Sequence, residues 1–162
     1  MLGKVLRSAD FKQLPKLFWL ALSHPLFIIP TLRATRKTML IAQQEYGNAH
    51  KGNTRANAFR HALWNVLIAK ECLKWKNNLE KVTLWTQKIT TRHEELAPNK
   101  PLPRAMDLHN NKIGLAHGSK LIGLKDSEIV DFLKKMAEKA QKIEHQEQIE
   151  NAHQHLVYLT ES

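Results

Sequence analysis

Apolar residues in this chain recur at three- and four-residue spacing and nowhere alternate convincingly with period two, so its ordered segments are predicted to be helices. Ala58, Ala62, Leu63, Val66, Leu67 and Ala69 mark one helical face, and Val82, Leu84, Trp85 and Ile89 a second. Ile129, Phe132, Leu133, Met136, Ala140 and Ile143 mark a third. Proline, glycine and capping residues then set the breaks. Asp10 or Ser8 can cap a first helix through about Leu22, which Pro25 ends or redirects. A second is predicted from about Pro30 to Tyr46, and the two-glycine stretch Gly47–Thr54 reads as a loop. Asn53 or Thr54 caps a third through Lys74, and a fourth runs from Leu79 to about Glu95. Three prolines predict a loop over Ala97–Pro103, followed by a helix from Arg104 to about Ile122. Asp126 or Ser127 caps the last, and its polar tail is expected to continue as an exposed helix.

The expected fold is therefore all-α: a compact bundle of about six helices without a substantial sheet. At 162 residues it forms one domain over 1–162, able to bury a real core. Within it, 1–40 holds basic and apolar N-terminal helices, 45–120 the chemistry-bearing centre, and 125–162 the C-terminal helix. The single cysteine, Cys72, excludes a disulfide framework and a cysteine-rich zinc module.

The net charge of +10 is unevenly placed, because residues 1–60 carry ten basic and two acidic side chains. Leu14–Pro30 is the most apolar stretch, but Lys16, Ser23, His24 and its prolines interrupt it well short of a spanning segment. No small-residue cleavage site follows a clean apolar run, so no signal peptide is read. Such a segment packs on the core, or else meets anionic lipid through Lys4, Arg7, Lys12, Lys16, Arg33, Arg36 and Lys37. The expected location is cytoplasmic, with peripheral membrane contact; export independent of a signal peptide stays open. Nucleic acid is a weaker partner expectation, since zinc-finger spacing, an RNP-like strand and a glycine-rich phosphate loop are all missing.

Three short segments concentrate the chemistry. In Asn57–Asn65 (NAFRHALWN), Asn57, His61 and Asn65 share a helical face, with Trp64 beside it and Arg60 at its border. A buried Asn–His–Asn stripe needs partners, which a ligand or another helix can supply; a satisfied structural histidine is the plainer alternative. Thr91–Glu95 offers His93 as base or metal ligand and Glu94 as acid–base partner, or simply a solvated helix end. In Met106–Gly114 (MDLHNNKIG), Asp107 shares a face with Asn110, Asn111 and Gly114. Glycine inside a helix costs about 1 kcal/mol against alanine, which points to close approach of another backbone or a ligand.

These motifs resemble an uncharacterised bacterial helical domain family, found free-standing and as C-terminal modules of large toxin-like proteins. The resemblance covers about residues 45–120. It implies that Arg60, His61, Trp64, Asn65, His93, Glu94, Asp107, Asn110, Asn111 and Gly114 are shared positions, and it supplies no activity.

From the residues themselves, His61, His93 and Asp107 match the two-histidine, one-carboxylate inventory of an open hydrolytic site for zinc or another divalent metal. Glu94 would activate water, while Arg60, Asn57, Trp64, Asn65, Asn110 and Asn111 would hold substrate. A metal-free version uses His61 as base with His93 or Glu94 as its partner. Both suit a phosphodiester, in phospholipid or RNA. The competing expectation is a non-catalytic binding module, whose polar core fixes the fold and whose basic arm recruits membrane, nucleic acid or an acidic protein.

Overall fold

A computed structural model describes residues 23–97 and 99–161, and the first predicted helix and the basic residues Lys4, Arg7, Lys12 and Lys16 lie outside that range. Among the described residues are six helices: α1 (Pro25–Tyr46), α2 (Arg55–Trp75), α3 (Leu79–Leu96), α4 (Pro101–Leu121), α5 (Asp126–Glu138) and the short α6 (Glu147–Asn151). The chain is a compact all-α domain. None of these helices is long and apolar enough to cross a membrane.

Helix α2 is the axis of the fold, and α1, α3, α4 and α5 all pack against it. Fourteen of its 21 residues are buried, around most of its circumference. A helix enclosed in this way has no solvent face for polar residues, so Asn57, Arg60, His61 and Asn65 must find partners inside the protein. Thr54 caps it, accepting a hydrogen bond from the Asn57 amide.

One contact sets where α4 crosses. A Cβ placed on Gly114 would lie 2.5 Å from both Cα and O of Ala62, so only glycine lets the two backbones meet there. The close approach expected of Gly114 is thus to another backbone, and it puts Asn111, one turn earlier, against His61.

Several boundaries differ from expectation. As expected at Pro25, helical geometry at Ser23 breaks at His24; Pro25 then starts α1, taking the first turn where its missing N–H is harmless, and Pro30 lies inside the same helix. The predicted loop over 97–103 is shorter, because α4 begins at Pro101 on the same principle. The tail does not continue as a helix. After α5, Gln141–Lys142 (β1) pairs in parallel with Val157–Tyr158 (β2), and Ile143 joins Met106, Ala152 and Val157 in a second apolar cluster. Val157 and Tyr158 are too short a run to show periodicity. Leu84 and Phe132, placed by spacing on core faces, are exposed.

Candidate functional site

The site lies where α2, α3 and α4 meet, and His61 is its centre. Its Nδ1 is 3.1 Å from Asn111 Oδ1 and 3.6 Å from Glu94 Oε1; its Nε2 is 2.7 Å from an Arg60 guanidinium nitrogen and 3.3 Å from Asp107 Oδ1. A guanidinium can only donate, so Nε2 accepts from Arg60 and Nδ1–H donates to Asn111. The same Asn111 oxygen accepts from Asn65 Nδ2 at 2.8 Å, and Asn111 Nδ2 donates to Glu94 at 3.4 Å. Thr90 closes the chain by donating to Asn65 Oδ1. Arg60 is anchored on its other side, where Nη1 donates to the His50 carbonyl at 2.6 Å.

All of these side chains are buried: His61 is 2% exposed, Glu94 1% and Asp107 4%. Burial governs their protonation, because a low dielectric disfavours every charged form. It pushes Glu94 up to about 8, with the neighbouring Asp107 charge adding to the rise. It raises Asp107 to about 7 against the pull of Arg60. Burial and the Arg60 charge together hold His61 well below its ordinary value. Around neutral pH the site therefore contains a neutral imidazole, one guanidinium cation and two carboxyls that resist ionising together.

The Asp107 carboxyl lies beside that of Glu94, and the two share a hydrogen bond when one of them is protonated. Its Oδ2 accepts from Asn99 at 3.3 Å. Oδ1 receives no other hydrogen bond, a state it shares among the described residues with Asn57 Oδ1 and His50 Nδ1.

His61, Arg60, Glu94, Asp107, Asn65 and Asn111 thus converge. The other expected site residues do not. His93 turns away from the donor group and stands edge-on to Trp64, with ring centroids 5.0 Å apart. Burial and Arg60 lower it to about 4. Glu94 takes the place expected of His93: one donor atom each from His61, Glu94 and Asp107 lie within 4.8 Å of one another. Consecutive helical residues diverge by about 100°, so a His-Glu pair can present only one member. Trp64 ties α1 to α2 by donating to Thr35. Asn110 spends both ends of its amide on the Val157 backbone, and Asn57 donates to the Gly52 carbonyl. Both asparagines thus hold backbone groups away from His61.

Sequence reasoning missed Thr90, Asn99 and His50. Thr90 and Asn99 lack any motif, but a histidine between the glycines of a polar loop was a visible signal: His50 is fully buried in a 3₁₀ turn, Gly47–Lys51.

A cleft of about 390 Å³ opens between α3 and α4. Asn65, Thr90 and Asn111 form its buried floor, and Thr83, Gln87, Thr91 and Lys112 are among its walls. The Asn111 amide separates this cleft from His61.

Fold and site together define an all-α domain with a histidine–arginine–carboxyl cluster at its centre. The chain belongs to a family described as a domain of unknown function (DUF6973), which matches residues 18–141. No curated protein and no solved structure was found to match it.

Proposed function

We propose that the chain is a hydrolase acting on an anionic, phosphodiester-type substrate, with His61 as general base and the Glu94–Asp107 pair as proton donor. The observation that carries this reading is the Glu94–Asp107 carboxyl pair, buried with Asp107 Oδ1 3.3 Å from the Nε2 of a neutral histidine. Acid–base sites hold groups with displaced pKa values in reach of each other.

In this mechanism an anionic substrate draws Arg60 away from Nε2, which frees the imidazole lone pair. Nε2 takes a proton from water as its oxygen attacks phosphorus. The phosphorus–oxygen bond to the leaving group breaks, and the protonated carboxyl supplies that oxygen with its proton. Arg60 meets the charge that develops on the phosphoryl oxygens. The cleft floored by Asn65, Thr90 and Asn111 ends at the Asn111 amide on the Nδ1 side of the ring, so this mechanism requires that amide to move aside before substrate reaches Nε2; Lys112 on the cleft wall favours an anion. His61, Glu94 and Asp107 are also the donors that could hold a divalent cation, which at Nε2 would take the place of the Arg60 nitrogen. An effector role, as in the toxin-like modules whose motifs this chain resembles, would suit such an activity.

The burial of the cluster favours a second reading, a binding module whose polar centre locks three helices together. Purified protein assayed on bis(p-nitrophenyl) phosphate, phospholipid vesicles and RNA, with and without chelator, separates the two. The hydrolase reading expects turnover that falls by about 10²–10⁴-fold in His61→Asn, with little loss of thermal stability. No turnover on any substrate, together with a large fall in Tm for that variant, supports the lock. Turnover abolished by chelator and restored by zinc assigns the cluster to a metal.

A further inference from the structure

The outward face of α1 carries an unusual combination of side chains. Leu26 is 56% exposed, Ile29 49%, Leu32 46% and Leu40 62%. Spacings of three and four residues place Leu26, Ile29, Arg33, Arg36 and Leu40 along one stripe, with Leu32 at its border. Arg33 and Arg36 are exposed as well. The stripe continues onto the end of α2, where Trp75 is 44% exposed and the Arg33 guanidinium lies 6.0 Å from its ring centroid. Large aliphatics are scattered singly on most surfaces, and four on one helix face form a patch.

Charge identifies the occupant. Helix α1 has no acidic residue before Glu45. Lys37 and Glu45 are already engaged, pairing with Asp126 and Lys134 respectively. Arg33 and Arg36 therefore give the exposed stripe a purely positive character among leucines and one tryptophan. A second copy of this face would bring arginines against arginines, and Lys4, Arg7, Lys12 and Lys16 would likewise add like charge. A surface that is apolar just below a layer of negative charge complements it: aliphatic side chains enter the acyl boundary, arginines meet phosphates, and tryptophan occupies the interface between.

We propose that the outward face of α1, with Trp75, docks the protein flat on an anionic phospholipid bilayer. This docking is independent of the hydrolytic reading and holds whether or not the buried cluster is catalytic.

The test is co-sedimentation of the full chain with phosphatidylcholine vesicles, with and without phosphatidylglycerol. Two variants accompany it, Arg33→Glu/Arg36→Glu and Ile29→Ser/Leu40→Ser. All four residues are exposed, so circular dichroism and Tm should match the unaltered protein. The expected result is binding to the anionic vesicles that weakens as salt rises, with the partition coefficient of the arginine variant lower by about tenfold or more. The serine variant should bind several-fold more weakly on the same vesicles. Equal binding by all three proteins would overturn the proposal and place any lipid contact elsewhere, residues 1–22 included. It also fails if the unaltered chain ignores anionic vesicles, or if it self-associates and the serine variant alone is monomeric.

Discussion

Asp107 and Glu94 illustrate what burial does to an acid. Both are held above their ordinary range, so the folded state binds protons more tightly than the unfolded one. For Glu94 that stabilisation is complete below its ordinary value of 4.5 and is lost as pH rises through about 8. Glu94→Gln keeps the acceptor that Asn111 uses and cannot ionise. Its Tm relative to the unaltered protein is therefore expected to improve steadily between about pH 5 and about pH 9 in a calorimetric series. A constant difference across that range would mean that Glu94 ionises as freely when folded as when unfolded. The histidines act on the other side: burial lowers His93 to about 4, so its contribution is present above the ordinary 6.5 and fades as pH falls through about 4. The two opposing trends overlap between 4.5 and 6.5, so stability should be greatest in that mildly acidic window and decline as pH rises beyond it. At this scale the sequence was informative about identity and weak about direction. His61, Arg60, Asn65 and Asp107 stood out because their neighbours are apolar or small. The choice between His93 and Glu94 depends on the rotation of α3, which one short apolar stripe with an exposed Leu84 cannot fix.

Between elements, the crossing of α2 and α4 decides whether the cluster exists at all. Gly114→Ala drives a methyl to 2.5 Å from the Ala62 backbone, and no side-chain rotation can relieve a backbone contact. The gain in helix propensity of about 1 kcal/mol is outweighed by overpacking, which costs typically about 1–3 kcal/mol and more where backbone must move. A net loss of stability is expected in urea titration, and because Asn111 lies one turn away the same shift should perturb the His61 ring. The imidazole resonances of Gly114→Ala would show it. An alanine variant as stable as its parent would mean that the helices do not touch there. Glycine in a helical run is a legible sign of close approach, but it does not say whether a ligand or a backbone approaches, or which helix supplies it. Proline marks a start as well as an end here: helical geometry breaks at His24, and α1 begins at Pro25. Pro25 and Pro101 initiate helices, since position within the first turn reverses the effect of a missing N–H.

At the scale of the whole molecule, the C-terminal segment belongs to the fold although the family match ends at residue 141. Val157 exchanges two hydrogen bonds of 2.9 Å with the Asn110 amide, one from each end. The Leu159 amide donates to the Asn53 carbonyl at 2.8 Å, just ahead of α2. Arg55 donates to the Tyr158 hydroxyl and lies 4.2 Å from the centroid of its ring. The segment thus bridges the N-terminus of α2 to the middle of α4, the two helices that carry His61 and Asp107. None of this was legible beforehand, because the bridge is made by backbone pairing and by an asparagine whose partner lies 47 residues away. Asn110→Ala would leave the buried amide and carbonyl of Val157 unpaired, at about 1–3 kcal/mol for each group. The expected outcome is a clear fall in Tm, with hydrogen exchange at 157–158 rising first while amides inside α2 stay protected. Leu156, Val157 and Tyr158 are buried, so the detached segment would also bare apolar surface and bind a hydrophobic dye. Uniform loss of protection across α2 and the tail together would instead make the segment part of one cooperative unit with the central helix. In that case the cluster around His61 could not form without residues 142–162, and a chain cut after residue 141 should fail to assemble it.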